Sequence, residues 1–340
     1  MTRRSWVLFA AMCVIWGVPY LLIRVAVRDF SPGTLVLART AIGGLVLVPF
    51  ALAGGGYRVV LPYWRPLLLF TVIEIGIPWL MLSDAERVLS SSLSGMLVAA
   101  VPLAGVAAAW VAGLELPGSG GPLRYVGLAL GFAGVIVLLG LDVGTVHLVP
   151  LLEMAAVVIG YAVAPVIMSR RLAHLPSIPV VSASLLIAAL GYLPYGVTHW
   201  PAQISGQVAW SVVTLGVVCT ALAFVVFFAL IAAIGPARAT VITYVNPAVA
   251  VVLGVLLLGE PFTLGIAIGF PLILIGSVLA ARTRPEEIEA AVPEGVAAQS
   301  VCEPAQSTRT SPLGVSNTAA TTPVSPSKGE SHSTSMPSSG

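Results

Sequence analysis

The sequence predicts an all-α polytopic membrane protein, with ten transmembrane helices in two inverted five-helix repeats and a disordered C-terminal tail. Three observations support this fold class: the composition, a series of ten apolar segments, and a match between the two halves. Of 340 residues, 58% are hydrophobic and only 9% are charged, and the mean hydropathy is +1.01. Soluble domains carry about 25% charged residues, so soluble enzymes and nucleic-acid-binding proteins are excluded.

Charge and cysteine content point to no cofactor. The net charge of +2 comes from scattered arginines, which gives no basic face for a polyanion such as nucleic acid. Cys13 and Cys219 fall in apolar runs and Cys302 in the tail. This pattern fits neither a disulfide framework nor a zinc site, and we expect no metal and no cofactor.

Ten segments are apolar enough to cross a bilayer, which requires about 20 residues each. They lie near residues 6–27, 33–53, 66–83, 91–113, 125–141, 148–169, 178–197, 210–234, 238–258 and 263–281. The first is too long for the core of a signal peptide and has no clear cleavage site, so we predict a retained helix. Turn residues such as Gly54 to Gly56 and Pro117 to Pro122 separate the segments.

Arginine placement predicts the orientation. With a cytoplasmic N-terminus, ten arginines fall on the inner side, whereas only Arg28 and Arg87 fall on the outer side. The inner ten are Arg3, Arg4, Arg58, Arg65, Arg124, Arg170, Arg171, Arg238, Arg282 and Arg284. Positive residues accumulate in cytoplasmic loops, so we expect both termini in the cytoplasm and the protein in the plasma or inner membrane.

The tail, residues 282–340, has a different composition. It is rich in Ser, Thr, Pro and Glu, with almost no large apolar residues, and it lacks the apolar content to fold. We predict a disordered extension that is dispensable, with a regulatory or partner-binding segment as the alternative.

The two halves match at an offset of 145 residues. Pro102 aligns with Pro247 and Glu115 with Glu260, and after seven extra loop residues 127–132 (GLALGF) align with 265–270 (GIAIGF). The predicted units are residues 1–142 and 143–281. Because each holds five helices, the second enters the membrane from the opposite side, as in many secondary transporters.

These motifs resemble a known family. In chain order they are Trp16-Gly17, Ala38-Arg39, Ala85 ahead of Ser90-Ser91-Ser92-Leu93, Pro102, Glu115, Pro247, Leu258-Gly259-Glu260 and the helix with Gly265 and Gly269. Their order over residues 6–281 is similar to the EamA family of the drug/metabolite transporter superfamily. The resemblance implies ten helices in two inverted repeats, a central cavity, and export or exchange of small metabolites. The second half departs from it, with Ile159-Gly160 in place of Trp-Gly and Ser184 opposite Arg39.

Two ionisable residues lie at membrane depth, where a charge costs about 2.5–3.5 kcal/mol. Arg39 is about six residues into the second segment and Glu74 near the middle of the third. We expect Arg39 either to bind an anion in the cavity or to serve as a snorkelling or structurally paired cation. Glu74 is expected to bind substrate or a proton, or to form a static pair with Arg39.

Further candidates for substrate binding or coupling are polar or aromatic residues at depth. They are Trp16, Tyr20, Trp79, Tyr161, Tyr244 and Asn246. Trp16 and Tyr20 share a helical face at i and i+4. Asn246 binds either substrate or the carbonyls that a proline kink frees. Pro102 and Pro247 are the helix-kink candidates for moving elements.

The remaining charged residues are assigned to helix ends. Glu153 is expected near the outer interface, and Asp84, Glu86 and Arg87 in a solvated cluster outside the membrane. Glu115 and Glu260 are expected to make hydrogen bonds at loops or helix ends rather than to bind substrate. The glycines at 127, 131, 265 and 269 have the small-xxx-small spacing of close helix packing, within the chain or in a homodimer.

The function that follows is secondary transport of a small organic metabolite, as exporter or exchanger, by alternating access in the lipid bilayer, with proton coupling as an option. The alternatives are a membrane-embedded enzyme and a scaffold that transports nothing. Enzymatic activity is not expected, because the sequence has no His-Glu-x-x-His or Gly-x-Gly-Asp motif and His147, His174 and His199 lie near loops.

Overall fold

Ten helical segments follow one another in a computed structural model that describes residues 2–111, 122–142, 148–235, 239 and 241–281. They are α1 Arg3–Ala26, α2 Pro32–Ala53, α3 Leu61–Ala85, α4 Ser91–Val98 with Val101–Val111, α5 Pro122–Asp142, α6 Leu148–Leu172, α7 Ser177–Thr198, α8 Gly206–Ile234, α9 Ile242–Leu258 and α10 Leu264–Ala281. Each of the ten predicted segments overlaps one of them. The predictions for Glu115, Arg238, Arg282, Arg284 and the tail 282–340 fall outside the described residues.

Length and composition separate these helices into two groups. Within the described ranges, α1, α2, α3, α6, α7 and α8 are long and apolar enough to cross a membrane. The apolar parts of α4, α5, α9 and α10 are shorter, between 10 and 17 residues. Several long apolar helices thus make this an all-helical membrane protein where it is described, and the count of ten spans stays a prediction.

Local sequence sets the helix ends. Ser90 is the N-cap of α4, where its hydroxyl accepts a hydrogen bond from the Leu93 backbone N–H at 3.1 Å. α9 ends at Gly259, whose φ of 66° is left-handed and favours glycine. α4 divides at Ala99 and Ala100, and its second part begins at Val101 with Pro102 next, whereas α9 continues through Pro247.

Most of the larger helix contacts repeat when each helix is exchanged for its counterpart in the other half, which is five helices away in the chain order. α3 packs on α6 as α8 packs on α1, α4 packs on α6 as α9 packs on α1, and α2 packs on α8 as α7 packs on α3. The contacts of α2 with α7, α4 with α9 and α5 with α10 join counterparts directly. A two-fold exchange of the halves therefore preserves most of the packing.

Three helices contain a π turn, at Thr71–Gly76 in α3, Met168–Leu172 in α6 and Val217–Leu222 in α8. At the offset of 145, residues 71–76 correspond to 216–221, which is one residue from the π turn of α8. π turns are rare and recur at functional sites. The first and third turns thus occupy equivalent places in the predicted halves.

Glycines bring α5 and α10 into backbone contact. A Cβ atom on Gly127 would lie 2.5 Å from the backbone nitrogen of Ala280, and one on Gly276 would lie 2.4 Å from that of Gly131. The small-xxx-small glycines at 127 and 131 therefore pack helices within the chain.

Polar contacts separate the helix ends into two groups. One group joins the ends predicted to be outside: Asp29 with Ser205, Arg24 with Glu86, and Ser91 and Ser92 with Glu260. The other joins ends predicted to be inside: Tyr57 with Ser182 and Tyr63 with His174. No contact in either group mixes the two predicted sides.

Candidate functional site

Arg39 is buried between α2, α3 and α8, with only 7% of its surface exposed. Its guanidinium carbon lies 3.6 Å from the centroid of the Trp79 ring, which is cation–π geometry. Its Nε donates a hydrogen bond to Thr220 Oγ1 at 3.0 Å. Among the described residues, the four remaining guanidinium protons have no hydrogen-bond acceptor.

The π turn of α8 presents Thr220 to this arginine. The Thr220 hydroxyl donates to the Leu215 carbonyl oxygen at 2.8 Å, five residues earlier. A hydroxyl has one proton but two lone pairs, so its oxygen is free to accept from Arg39. Cys219, in the same turn, is 1% exposed and within electrostatic range of Arg39.

Two tyrosines complete the surroundings of Arg39. Tyr20 comes from α1 and is buried, and Tyr161 comes from α6 and packs with Trp79 in one apolar cluster. Both are within electrostatic range of Arg39 and of Glu86. We call Tyr20, Arg39, Trp79 and Tyr161 the central cluster.

Glu74 does not pair with Arg39, which corrects one alternative drawn from the sequence. In the described part of the chain the single ion pair joins Arg87 to Asp84 at 3.1 Å, near one end of the molecule. Glu74 lies in the π turn of α3 beside Tyr161, and its Oε2 is buried without a hydrogen-bond partner. Depth alone placed the two charges together, but the helix faces separate them.

Glu86 is the second correction. The sequence suggested a solvated cluster, and Asp84 and Arg87 do form an exposed pair, but Glu86 is 0% exposed. Neither of its carboxylate oxygens has a hydrogen-bond partner among the described residues, while its backbone carbonyl accepts from Arg24 Nη1. Burial raises the pKa of the Glu86 carboxyl well above its ordinary value, and the positive charge of Arg24 opposes that increase.

Helical periodicity contained a signal for Glu86. Ile75, Trp79 and Leu82 are buried and recur on one face of α3, and Glu86 continues that face at i+4 from Leu82. Thr220 and Arg24 carried no comparable signal, because a threonine in an apolar run and an arginine near a helix end are common.

Three candidates lie outside the central cluster. Trp16 packs against Phe227, with ring centroids 4.7 Å apart, and against Phe224 at 6.1 Å. Tyr244 is half-buried on α9. Asn246 is buried, and with its amide nitrogen turned toward α1 it donates to the carbonyl oxygens of Cys13 at 3.1 Å and Ile242 at 3.0 Å.

The hydrogen bonds of Asn246 join α9 to α1. Both acceptors are backbone carbonyls, while a role in substrate binding stays a prediction. One of the two carbonyls belongs to Cys13 in α1, and the other belongs to Ile242, four residues earlier in α9. The amide therefore connects two helices.

Glu260 joins the end of α9 to the start of α4, at the same end of the molecule as Asp84. Its Oε1 accepts from the Ser91 backbone N–H at 2.8 Å and from the Ser91 hydroxyl at 3.0 Å. Its Oε2 accepts from the Ser92 backbone N–H at 2.9 Å and from the Ser92 hydroxyl at 2.5 Å. A carboxylate after α9 thus caps the N-terminus of α4, and we call this contact the Glu260 clamp. The helix-end role predicted for Glu260 matches this contact.

Gly254 leaves room for the clamp. A Cβ atom at Gly254 would lie 2.3 Å from Glu260 Oε2 and 2.4 Å from Ser92 Oγ. Both are closer than real side chains approach, so any larger residue displaces the bonded atoms. Glu153 of α6 lies near Asp84 at the same end, and its place at the outer interface stays a prediction.

Comparisons with known proteins agree with this architecture. A solved crystal structure aligns with a TM-score of 0.59 at 22% sequence identity, covering 86% of this chain and 100% of its own, and it supports the fold alone. The chain is 26% identical to the uncharacterized transporter YvbV of Bacillus subtilis, over 85% of this chain and 94% of that protein. It is 27% identical to the uncharacterized inner membrane transporter YedA of Escherichia coli K12, over 74% of this chain and 81% of that protein.

The sequence profile of the EamA-like transporter family matches twice, at residues 4–140 and 149–282. Together these two matches span most of the chain and include every described helix. The chain belongs to the EamA-like transporter family and is a membrane transporter of the drug/metabolite type.

Proposed function

We propose that the protein is a secondary transporter that moves a small organic metabolite by alternating access between two five-helix halves, residues 1–142 and 143–281. The symmetric helix contacts support this, because exchanging the halves preserves most of the packing. Two such halves can adopt two related arrangements, one open to each side, around a site at their interface. Export and exchange both fit this scheme.

The substrate carries an anionic group and an apolar or aromatic part. The observation that carries this proposal is Arg39, a buried cation with no carboxylate partner among the described residues and with four guanidinium protons free. A guanidinium binds carboxylate or phosphate with two parallel bonds. Trp79, Tyr20 and Tyr161 supply the flat surfaces against which an organic skeleton packs.

Glu74 is the proposed coupling residue. Its Oε2 is buried near Tyr161 and has no hydrogen-bond partner in the described part of the chain. The proton affinity of such a carboxyl depends on how much water and charge surround it. Opening the cavity to water on one side would change those surroundings, which links proton binding to the conformational state.

We also propose ten membrane spans, both termini in the cytoplasm, and the inner membrane as the location. The excess of inner arginines supports the orientation, and the two groups of end contacts support the pairing of helix ends. Reporter fusions after Arg58 and Arg171 should report the cytoplasm, and fusions near Arg28 and His199 the outside. A reversal at any of these positions would contradict the inverted arrangement.

The test of the function combines binding and flux. The purified protein is screened by thermal stability against organic anions, zwitterions and neutral solutes, because a ligand of the folded state raises the melting temperature. Solutes that stabilise the protein are then tested for uptake into proteoliposomes. We expect stabilisation by an organic anion or zwitterion, and flux of the same solute.

Substitutions of Arg39 make the test specific. Arg39→Gln should abolish the stabilisation, and Arg39→Lys should weaken it, because lysine keeps the charge but loses the planar fork. Arg87→Gln removes an exposed cation and serves as the matched control. Equal stabilisation in Arg39→Gln and wild type would overturn the assignment. A protein that binds solutes without flux would favour the scaffold, and one that converts them the enzyme.

A further inference from the structure

The end of the molecule opposite the Glu260 clamp has a basic cleft between α3 and α6. The cleft has a volume of about 350 Å³ and is lined by Arg65 from α3 and by Arg170 and Arg171 from α6. This volume lies within the range of about 300–1,000 Å³ that ligand pockets have. The cleft is separate from the central cluster and plays no part in the transport proposal.

Within the described ranges, the three arginines have no acidic partner. All are exposed, and the one ion pair of the described residues joins Arg87 to Asp84 at the opposite end. Arg170 and Arg171 lie in the π turn Met168–Leu172, a turn type that recurs at functional sites. Three cations around one cleft produce a positive potential that attracts an anion.

The wall beneath the arginines is apolar. Leu69 and Val166 line the same cleft and are exposed. Trp64, also exposed, lies under the Arg65 guanidinium at 5.3 Å from the ring centroid. Aromatic residues of this kind populate the interface between headgroups and acyl chains. The cleft therefore offers cations at one level and hydrocarbon contact directly next to them.

We propose that this cleft binds an anionic phospholipid, with the headgroup phosphate on Arg65, Arg170 and Arg171 and an acyl chain along Leu69 and Val166. Basic pockets between helices at a membrane surface are suited to such headgroups. A free phosphate would use the arginines but not the apolar wall. A zwitterionic lipid would bring a cation into a cleft that already holds three.

The experiment uses the full-length protein in a neutral detergent. Phosphatidylglycerol, phosphatidylcholine and inorganic phosphate are each titrated, and bound lipid is counted by native mass spectrometry beside the melting temperature. We expect phosphatidylglycerol to bind and to raise the melting temperature, and the other two to do neither. Equal effects of phosphatidylcholine would overturn the proposal, and so would equal stabilisation by inorganic phosphate.

Variants locate the binding. Each arginine near a membrane surface contributes about 1 kcal/mol to anionic-lipid binding, so removing all three in R65Q/R170Q/R171Q should weaken it about 100-fold. The single change Arg65→Gln should weaken it about fivefold, and it keeps the test valid if the triple variant fails to fold.

The control is R3Q/R4Q/R58Q, which removes three exposed arginines from the same predicted side but outside the cleft. It should bind phosphatidylglycerol as the wild type does. Equal loss in the control and in the cleft variant would show that general surface charge, and not the cleft, holds the lipid, and would refute the site.

Discussion

Replacing Glu260 with glutamine should weaken the contact between α9 and α4 and favour an arrangement that is open at this end. The carboxylate accepts four hydrogen bonds from Ser91 and Ser92. The amide nitrogen of glutamine cannot accept, so one backbone N–H at the start of α4 loses its partner, which costs about 1–3 kcal/mol. The lost negative charge at a helix N-terminus contributes about 0.3–1 kcal/mol more.

These terms bear on the closed state, because water satisfies the same groups once the end opens. A change of about 2 kcal/mol in the balance of closed and open states shifts their ratio about 30-fold. Cys219 can report that shift as a natural probe. It is 1% exposed and lies near Arg39 of the central cluster, so a reagent reaches it only when the end opens.

The assay measures modification of Cys219 by a membrane-impermeant maleimide added from outside, in a background with Cys13→Ser and Cys302→Ser. We expect Cys219 to be labelled about 30-fold faster in the Glu260→Gln protein than in the protein that keeps Glu260. Asp84→Asn is the control, because it removes an exposed carboxylate at the same end that forms no bond to α4. An unchanged labelling rate in a well-folded Glu260→Gln protein would refute the clamp as a gate.

Three further predictions concern single side chains. Gly254→Ala should speed labelling as the Glu260 change does, because its Cβ would lie 2.3 Å from Glu260 Oε2; slow labelling would contradict this. Glu74→Gln should lower flux in proteoliposomes more than it lowers membrane abundance, and it should remove the pH dependence of flux. A second change, Arg39→Gln, should not restore flux, because Glu74 and Arg39 form no ion pair. Unaltered flux with unaltered pH dependence would exclude Glu74 from the mechanism. Glu86 has a raised pKa in the folded state, so the folded protein holds a proton that the unfolded chain releases above about pH 4.3. Its contribution to stability therefore falls as pH rises, and Glu86→Gln should flatten the decline of melting temperature with pH; equal slopes would contradict it.

The helices were predictable because each is a long apolar run, and its length and composition are enough to predict it without a helical pattern of polar and apolar residues. Side-chain partners were not, because they depend on how each helix is rotated about its axis. They also depend on position along the helix: Trp16 and Tyr20 share a face of α1, yet Tyr20 reaches the central cluster while Trp16 packs on Phe224 and Phe227. Arg39 and Glu74 were matched by depth, and rotation separates them. The homodimer, which depends on a surface rather than on a helix, stays a prediction.

Glu86 marks the limit of a rule based on position. A charged residue after the last apolar residue of a helix is ordinarily solvated, and Asp84 and Arg87 follow this rule. Glu86 does not, because α1 and the Glu260 clamp cover the end of α3, so that Arg24 and Glu260 are its charged neighbours. That covering arises from residues far apart in the chain and could not be read from α3 alone.

The central cluster is less symmetric than the scaffold around it, and this asymmetry has a mechanical consequence under the proposed transport cycle. Arg39 and Trp79 both belong to residues 1–142, so their cation–π contact lies within one half. The Arg39–Thr220 hydrogen bond crosses between the halves, and the residue equivalent to Arg39, at 184, is a serine. If the halves rock as proposed, an anionic group bound to Arg39 stays with residues 1–142, and the contact that changes is the one with the neutral Thr220 hydroxyl. A cation that keeps its aromatic contact in both arrangements would avoid repeated desolvation, so a contact within one half suits the proposed cycle better than one between the halves.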